Sequence, residues 1–147
     1  MIPPFETATG NLPPGIHPAS WAEVMARYGA TPFRLTLLAG LKAALDSLRT
    51  AGCRRAYLDG SFVSTKDTPG DFDGCWEPAG VDPALLDPVL LDLAPPRIAQ
   101  KVKYGGELFP AGAHLDMLGA RALEFFQRDR QTGEPKGIVA IDLEDLP

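Results

Sequence analysis

The sequence predicts an α/β protein with a small mixed β-sheet and helices packed mainly on one face. Three stretches lead there. Phe33, Leu37, Leu38, Leu41, Leu45 and Leu48 recur at helical spacing, and that helix runs through Gly52 into a short apolar strand, Ala56-Tyr57-Leu58. In Asp71-Phe72-Asp73-Gly74-Cys75-Trp76 apolar residues alternate with carboxylates, the period of a strand with unlike faces. Gly137-Ile138-Val139-Ala140-Ile141-Asp142-Leu143 is β-branched and alternating, a third strand signal.

A chain of 147 residues, 45% hydrophobic and 22% charged, is expected to form one domain with a real core. A net charge of −5 argues against non-specific nucleic-acid binding over the whole surface, while leaving room for a local basic patch. Cys53 and Cys75 have no metal-type spacing and read as free thiols of a reducing compartment. No apolar run approaches the roughly 20 residues of a membrane span, and no basic segment precedes an apolar one at the start. The expectation is a cytoplasmic protein with no membrane partner.

Residues 1–19 hold five prolines and no periodic pattern. They are expected to form an extended arm anchored by Ile2, Phe5, Leu12 and Ile16 on the single domain of residues 20–147. Ser20-Trp21-Ala22-Glu23 is a capping box, so a short helix should run to about Tyr28 and stop at Gly29. Thr31-Pro32 supplies the N-cap and first-turn proline of the long helix, with Arg34, Lys42, Asp46 and Arg49 off its apolar face. Asp82-Pro83 and Asp87-Pro88 each look like helix starts. Residues 97–104 suit a short helix bearing Lys101 and Lys103. Gly105-Gly106 turns into a short strand, Glu107-Leu108-Phe109, stopped by Pro110. Residues 111–119 read as loop. From Leu123 a hairpin is expected, with a turn through 129–135 and a return strand at 137–143; residues 120–127 suit helix or strand equally.

The chemistry concentrates between Leu58 and Trp76. A strand ending in Gly60-Ser61 delivers a tight turn with backbone N–H groups and a hydroxyl for a phosphate. Asp71 and Asp73, one strand period apart, point to the same side and make a chelate for a hard cation, Mg²⁺ or Mn²⁺. Lys66, in the intervening loop, is a candidate nucleotide-binding residue that suits a phosphate contact or plain solvation, and Lys101 and Lys103 suit either a triphosphate or an exposed helix face. Ser61 lacks the Gly-x-Ser-x-Gly elbow of a hydrolase nucleophile. His17 and His114 have no carboxylate or cysteine at ligand spacing, and Cys75 suits core packing.

Gly60-Ser61, nine residues, then Asp71-x-Asp73 resembles the signature of the DNA polymerase β-type nucleotidyltransferase superfamily, in particular its minimal members. That likeness covers residues 58–76. Separately, Pro3-Pro4-Phe5, residues 10–17 and Pro135-Lys136-Gly137-Ile138-Val139 resemble a family of small bacterial proteins that brings no established activity. The superfamily resemblance implies a nucleotidyltransferase-like fold in which Asp71 and Asp73 bind metal and Gly60 and Ser61 contact phosphate. It also implies a third carboxylate, for which Glu107 is the first candidate and Asp116 the second. The implied reaction moves a nucleoside monophosphate from a nucleoside triphosphate to an acceptor hydroxyl on RNA, protein or a small molecule. A protein partner encoded nearby is implied as well, as in toxin–antitoxin pairs. The rival expectation is a non-catalytic regulatory protein on the same scaffold, an antitoxin or accessory subunit.

Overall fold

A computed structural model describes residues 1–66, 68–94, 98–115 and 120–147. Five strands form one mixed sheet: β1 (Gly15–Ala19), β2 (Arg55–Asp59), β3 (Phe72–Trp76), β4 (Gly106–Pro110) and β5 (Gly137–Asp142). Their spatial order is β1-β5-β2-β3-β4. β1 lies parallel to β5 and β3 parallel to β4, while β2 runs antiparallel to both its neighbours. Among the described residues four α-helices accompany them: α1 (Trp21–Tyr28), α2 (Pro32–Thr50), α3 (Ala99–Tyr104) and α4 (Ala122–Phe125).

Strand parity divides the sheet into two faces. Ala56, Leu58, Phe72, Trp76, Leu108, Val139 and Ile141 face one way and pack with the buried residues of α1 and α2 into the larger core. Tyr57, Cys75, Phe109, Ile138 and Ala140 face the other way, where Ala111, Ala122 and Phe126 cover them. Most of the helical mass therefore lies on one face, and the opposite face keeps room for a cleft.

Local chemistry explains the first two helices. The Ser20 hydroxyl accepts from the Glu23 N–H and the Glu23 carboxylate accepts from the Ser20 N–H, closing the capping box of α1. Thr31 caps α2 through the Arg34 N–H, with Pro32 in the first turn. Leu37, Leu38, Leu41, Leu45 and Leu48 are buried as their spacing predicts. The first turn of α2 departs from that stripe: Phe33 is 45% exposed and Arg34 only 5%. Residue 34 precedes Leu38 and Leu41 by four and seven, so it continues the buried row, and Phe33 falls off its edge.

Other elements differ from expectation. Gly15–Ala19, within the proline-rich arm, is an edge strand in register with Gly137–Ile141. The Asp82-Pro83 and Asp87-Pro88 starts each open a single 3₁₀ turn, capped by the aspartate side chain at Ala84 N and Val89 N. Leu123–Phe126, which suits helix or strand equally by sequence, is helical as α4 and its continuation. The chain behind it still closes as a hairpin loop: Lys136 N donates to Gln127 O at 2.8 Å and Asp129 N to Glu134 O at 2.8 Å. β5 then pairs with β1 and β2 instead of with residues 123–126, because those strands offer the free backbone ladder. No helix among the described residues is long and apolar enough to cross a membrane.

Candidate functional site

The register of the sheet brings a row of carboxylates together. Asp59, the last residue of β2, lies opposite Asp73 of β3, which in turn lies beside Glu107 of β4. Neighbouring strands are about 4.8 Å apart, so three acidic residues stand side by side across three strands. All have the parity of the second sheet face. Asp71, one period before Asp73 and just outside β3, joins them.

These residues line a cleft of about 330 Å³. Its acidic floor is Asp59, Asp71, Asp73 and Glu107, with Gly60 beside them. Phe109, Leu115, Phe125 and Phe126 form an apolar wall. Lys101, Arg128, Arg130 and Lys136 add four cations. The Arg130 guanidinium lies 5.1 Å from the centre of the Phe125 ring, a cation–π contact.

Lysines bracket the row. On one side the Lys101 Nζ lies 3.2 Å from Asp71 Oδ2 and 3.2 Å from Glu107 Oε1. On the other, Lys136 Nζ lies 3.3 Å from Asp59 Oδ1. That contact is an ion pair by distance only, because the buried Oδ1 accepts no well-directed hydrogen bond. Burial pushes the Asp59 carboxyl up to about 6, against the opposing pull of Lys136. Between the lysines, the Asp73 carboxylate makes no ion pair among the described residues. Burial raises its pKa to about 7, with the charges of Asp71, Asp59 and Glu107 adding to the rise.

Supporting contacts fix this arrangement. Gln100 of α3 is buried and pairs with the outer edge of β4: Leu108 N donates to its Oε1 at 2.9 Å, and its Nε2 donates to Leu108 O at 3.2 Å. This amide docks α3 on β4 and sets Lys101, the next residue, beside Glu107. Arg34 clamps the loop after β2, donating to Phe62 O at 2.7 Å, to Ser64 O at 3.2 Å and to Lys66 O. The N-terminal arm touches both rims. Thr65 N donates to Gly10 O at 3.1 Å, and Asn11 Nδ2 donates to Asp129 Oδ2 at 3.1 Å in the loop carrying Arg128 and Arg130.

Asp71, Asp73, Glu107 and Gly60 are thus brought to one cleft. Ser61 lies in the 3₁₀ turn Gly60–Val63, and Lys66 is exposed on the loop beyond it; neither is among the cleft-lining residues. Asp116 lies outside the described residues. Of the two α3 lysines, Lys101 reaches the carboxylates and Lys103 turns away to Asp87. Sequence reasoning missed Asp59, Lys136, Arg128, Arg130 and Gln100. Asp59 was recoverable, since alternation from the inward Leu58 turns it to the face of Asp73. Arg128, Arg130 and Gln100 gain their places from long-range packing and left no local signal.

The oxygen-only donor set suits a hard divalent cation such as Mg²⁺. Among the described residues, however, no three acidic, histidine or cysteine groups are gathered tightly enough to hold a metal ion as they stand. The Lys101 ammonium bridges Asp71 and Glu107. Asp71, Asp73 and Glu107 are the residues that would hold the ion. No curated protein and no solved structure matches the chain. Residues 3–142 match the model of DUF6932, a family of unknown function, and the chain belongs to that family.

Proposed function

We propose that this protein is a Mg²⁺-dependent nucleotidyltransferase-like enzyme. It would move a nucleoside monophosphate from a nucleoside triphosphate to an acceptor hydroxyl on RNA, protein or a small molecule. The observation that carries the reading is the in-register row of Asp59, Asp73 and Glu107, flanked by Asp71 and Gly60 and faced by cations and aromatic rings. Asp71, Asp73 and Glu107 would hold Mg²⁺, which would supply neutralisation of phosphate charge.

The chain's own residues account for the rest. Phe109, Phe125 and Phe126 offer the apolar surface a base needs, and Arg128, Arg130 and Lys136 offer charge to a triphosphate. Asp71 and Asp73 would hold the ion, and Glu107, beside Asp73 in the sheet, would complete the set or accept the proton of the attacking hydroxyl. Gly60 lets the turn approach Asp73 closely. A protein partner encoded nearby, in a toxin–antitoxin or defence pair, belongs to the same reading. A second reading, a non-catalytic regulatory protein on this scaffold, is favoured by one observation: Lys101 already neutralises Asp71 and Glu107.

The test is thermal unfolding of the full chain with Mg²⁺ and each nucleoside triphosphate, followed by incubation with labelled triphosphate. A stabilisation that needs both components and disappears in Asp73→Ala is expected, because a ligand bound only to the folded state raises its midpoint. Equal midpoints with and without ligand, in wild type and variant alike, would exclude the enzyme. Stabilisation without transfer to any acceptor would select the second reading.

A further inference from the structure

Lys101 is placed oddly for a residue whose only task is to attract phosphate. Its Nζ sits at 3.2 Å from both Asp71 and Glu107. Its side chain remains 47% exposed, so it can leave that position without disturbing packed atoms. The helix that carries it does not share this freedom. Gln100 is locked to β4, and Gly105, at φ 91°, ends the helix where Lys101 O accepts from Gly105 N. A rigid base with a mobile tip describes a tethered counter-ion.

Asp71 and Glu107 stand close enough to share one cation, and the carboxylates around them favour its presence. Lys101 supplies one from within the chain. We infer that Lys101 is an internal counter-ion that competes with a divalent metal for the position between Asp71 and Glu107. Metal enters as the ammonium leaves. The inference rests on the proposed function for the metal's use, but the competition itself concerns binding alone.

The experiment compares Mn²⁺ binding by titration calorimetry in wild type, Lys101→Met and Lys103→Met, all as full chains without nucleotide. Lys103 is two residues away on the same helix and pairs with Asp87 outside the row, so its variant controls for charge and for helix stability. Lys101→Met is expected to bind Mn²⁺ about tenfold more tightly than wild type, the scale of one competing charge removed at short range. Lys103→Met should match wild type, and Asp73→Asn added to Lys101→Met should weaken the gain. Mn²⁺ affinity unchanged or reduced in Lys101→Met, with the Lys103→Met value unchanged, would overturn the counter-ion and leave the metal reading standing. Absence of Mn²⁺ binding in all variants would overturn both. Unfolding midpoints of each variant show whether a weak binder is simply unfolded.

Discussion

A β-carbon on residue 60 would stand 3.0 Å from Asp73 Oδ2, and the backbone there has φ 79°. Glycine is therefore needed twice, for the left-handed turn and for the approach of that turn to the carboxylate. Gly60→Ala is expected to lower stability by about 1–3 kcal/mol in chemical denaturation. It should also abolish any Mg²⁺-dependent stabilisation by nucleotide, even at temperatures where the variant remains folded. A variant as stable as wild type with unchanged ligand response would show that the turn has slack. The sequence announces Gly60 as a turn but says nothing of this contact, because the turn's neighbour is set by strand register rather than by adjacency. Asp59 shows the same limit in reverse. Its parity was readable, yet its buried pairing with Lys136 joins residues 77 positions apart in the chain.

At the level of elements, the edge of β4 is finished by a side chain instead of a strand. The Gln100 amide takes both hydrogen bonds that a sixth strand would have offered Leu108. Gln100→Leu keeps the volume and removes both bonds, leaving a buried N–H and carbonyl without partners. A loss on the order of 2–3 kcal/mol is expected from denaturant titration. Lys101 should then lose its fixed base, so the Mn²⁺ affinity should change in the same variant; a stability loss with unaltered metal affinity would show that α3 is held by other contacts. The elements themselves were largely legible. The capping box of α1, the Thr31-Pro32 start of α2 and the alternation of β3 are local signals, and local hydrogen bonds and parity set them. β1 was hidden among prolines, since only its pairing with β5 makes it a strand. The helical α4 was hidden too, because Phe125 and Phe126 suit either state until packing on Phe109 decides. Arg34 was masked by its charge: the spacing continues the buried stripe, but its three carbonyl partners come from a loop about 30 residues away.

For the whole molecule, the acidic row makes stability depend on pH with a definite sign. Asp73 and Asp59 bind protons in the folded state at about 7 and about 6, against an ordinary 3.8 in the unfolded chain. Between those values the folded state holds protons that the unfolded state has released, so unfolding becomes easier as pH rises. The thermal midpoint should therefore fall from about pH 5 to about pH 8, with Asp73 contributing on the order of 3 kcal/mol. Asp73→Asn should flatten most of that slope, and a saturating divalent cation should reverse its sign by favouring the ionised row. A midpoint that rises across this range in the metal-free wild type would contradict the burial-driven shift.

The placement of β5 has a bearing on how the chain acquires its fold. Residues 137–142 lie between β1 and β2, joining residues 15–19 to the rest of the sheet. Until they insert, β1 has no partner strand and β2 presents an unpaired edge. The partner strand of β1 is translated more than 100 residues after it, so the sheet cannot be complete until that segment has been made. Pairings of such sequence separation form slowly and leave strand edges open to other chains. A chain cut before Gly137 is expected to aggregate more readily than one carrying β5, whose pairing with β1 and β2 also sets Lys136 beside Asp59.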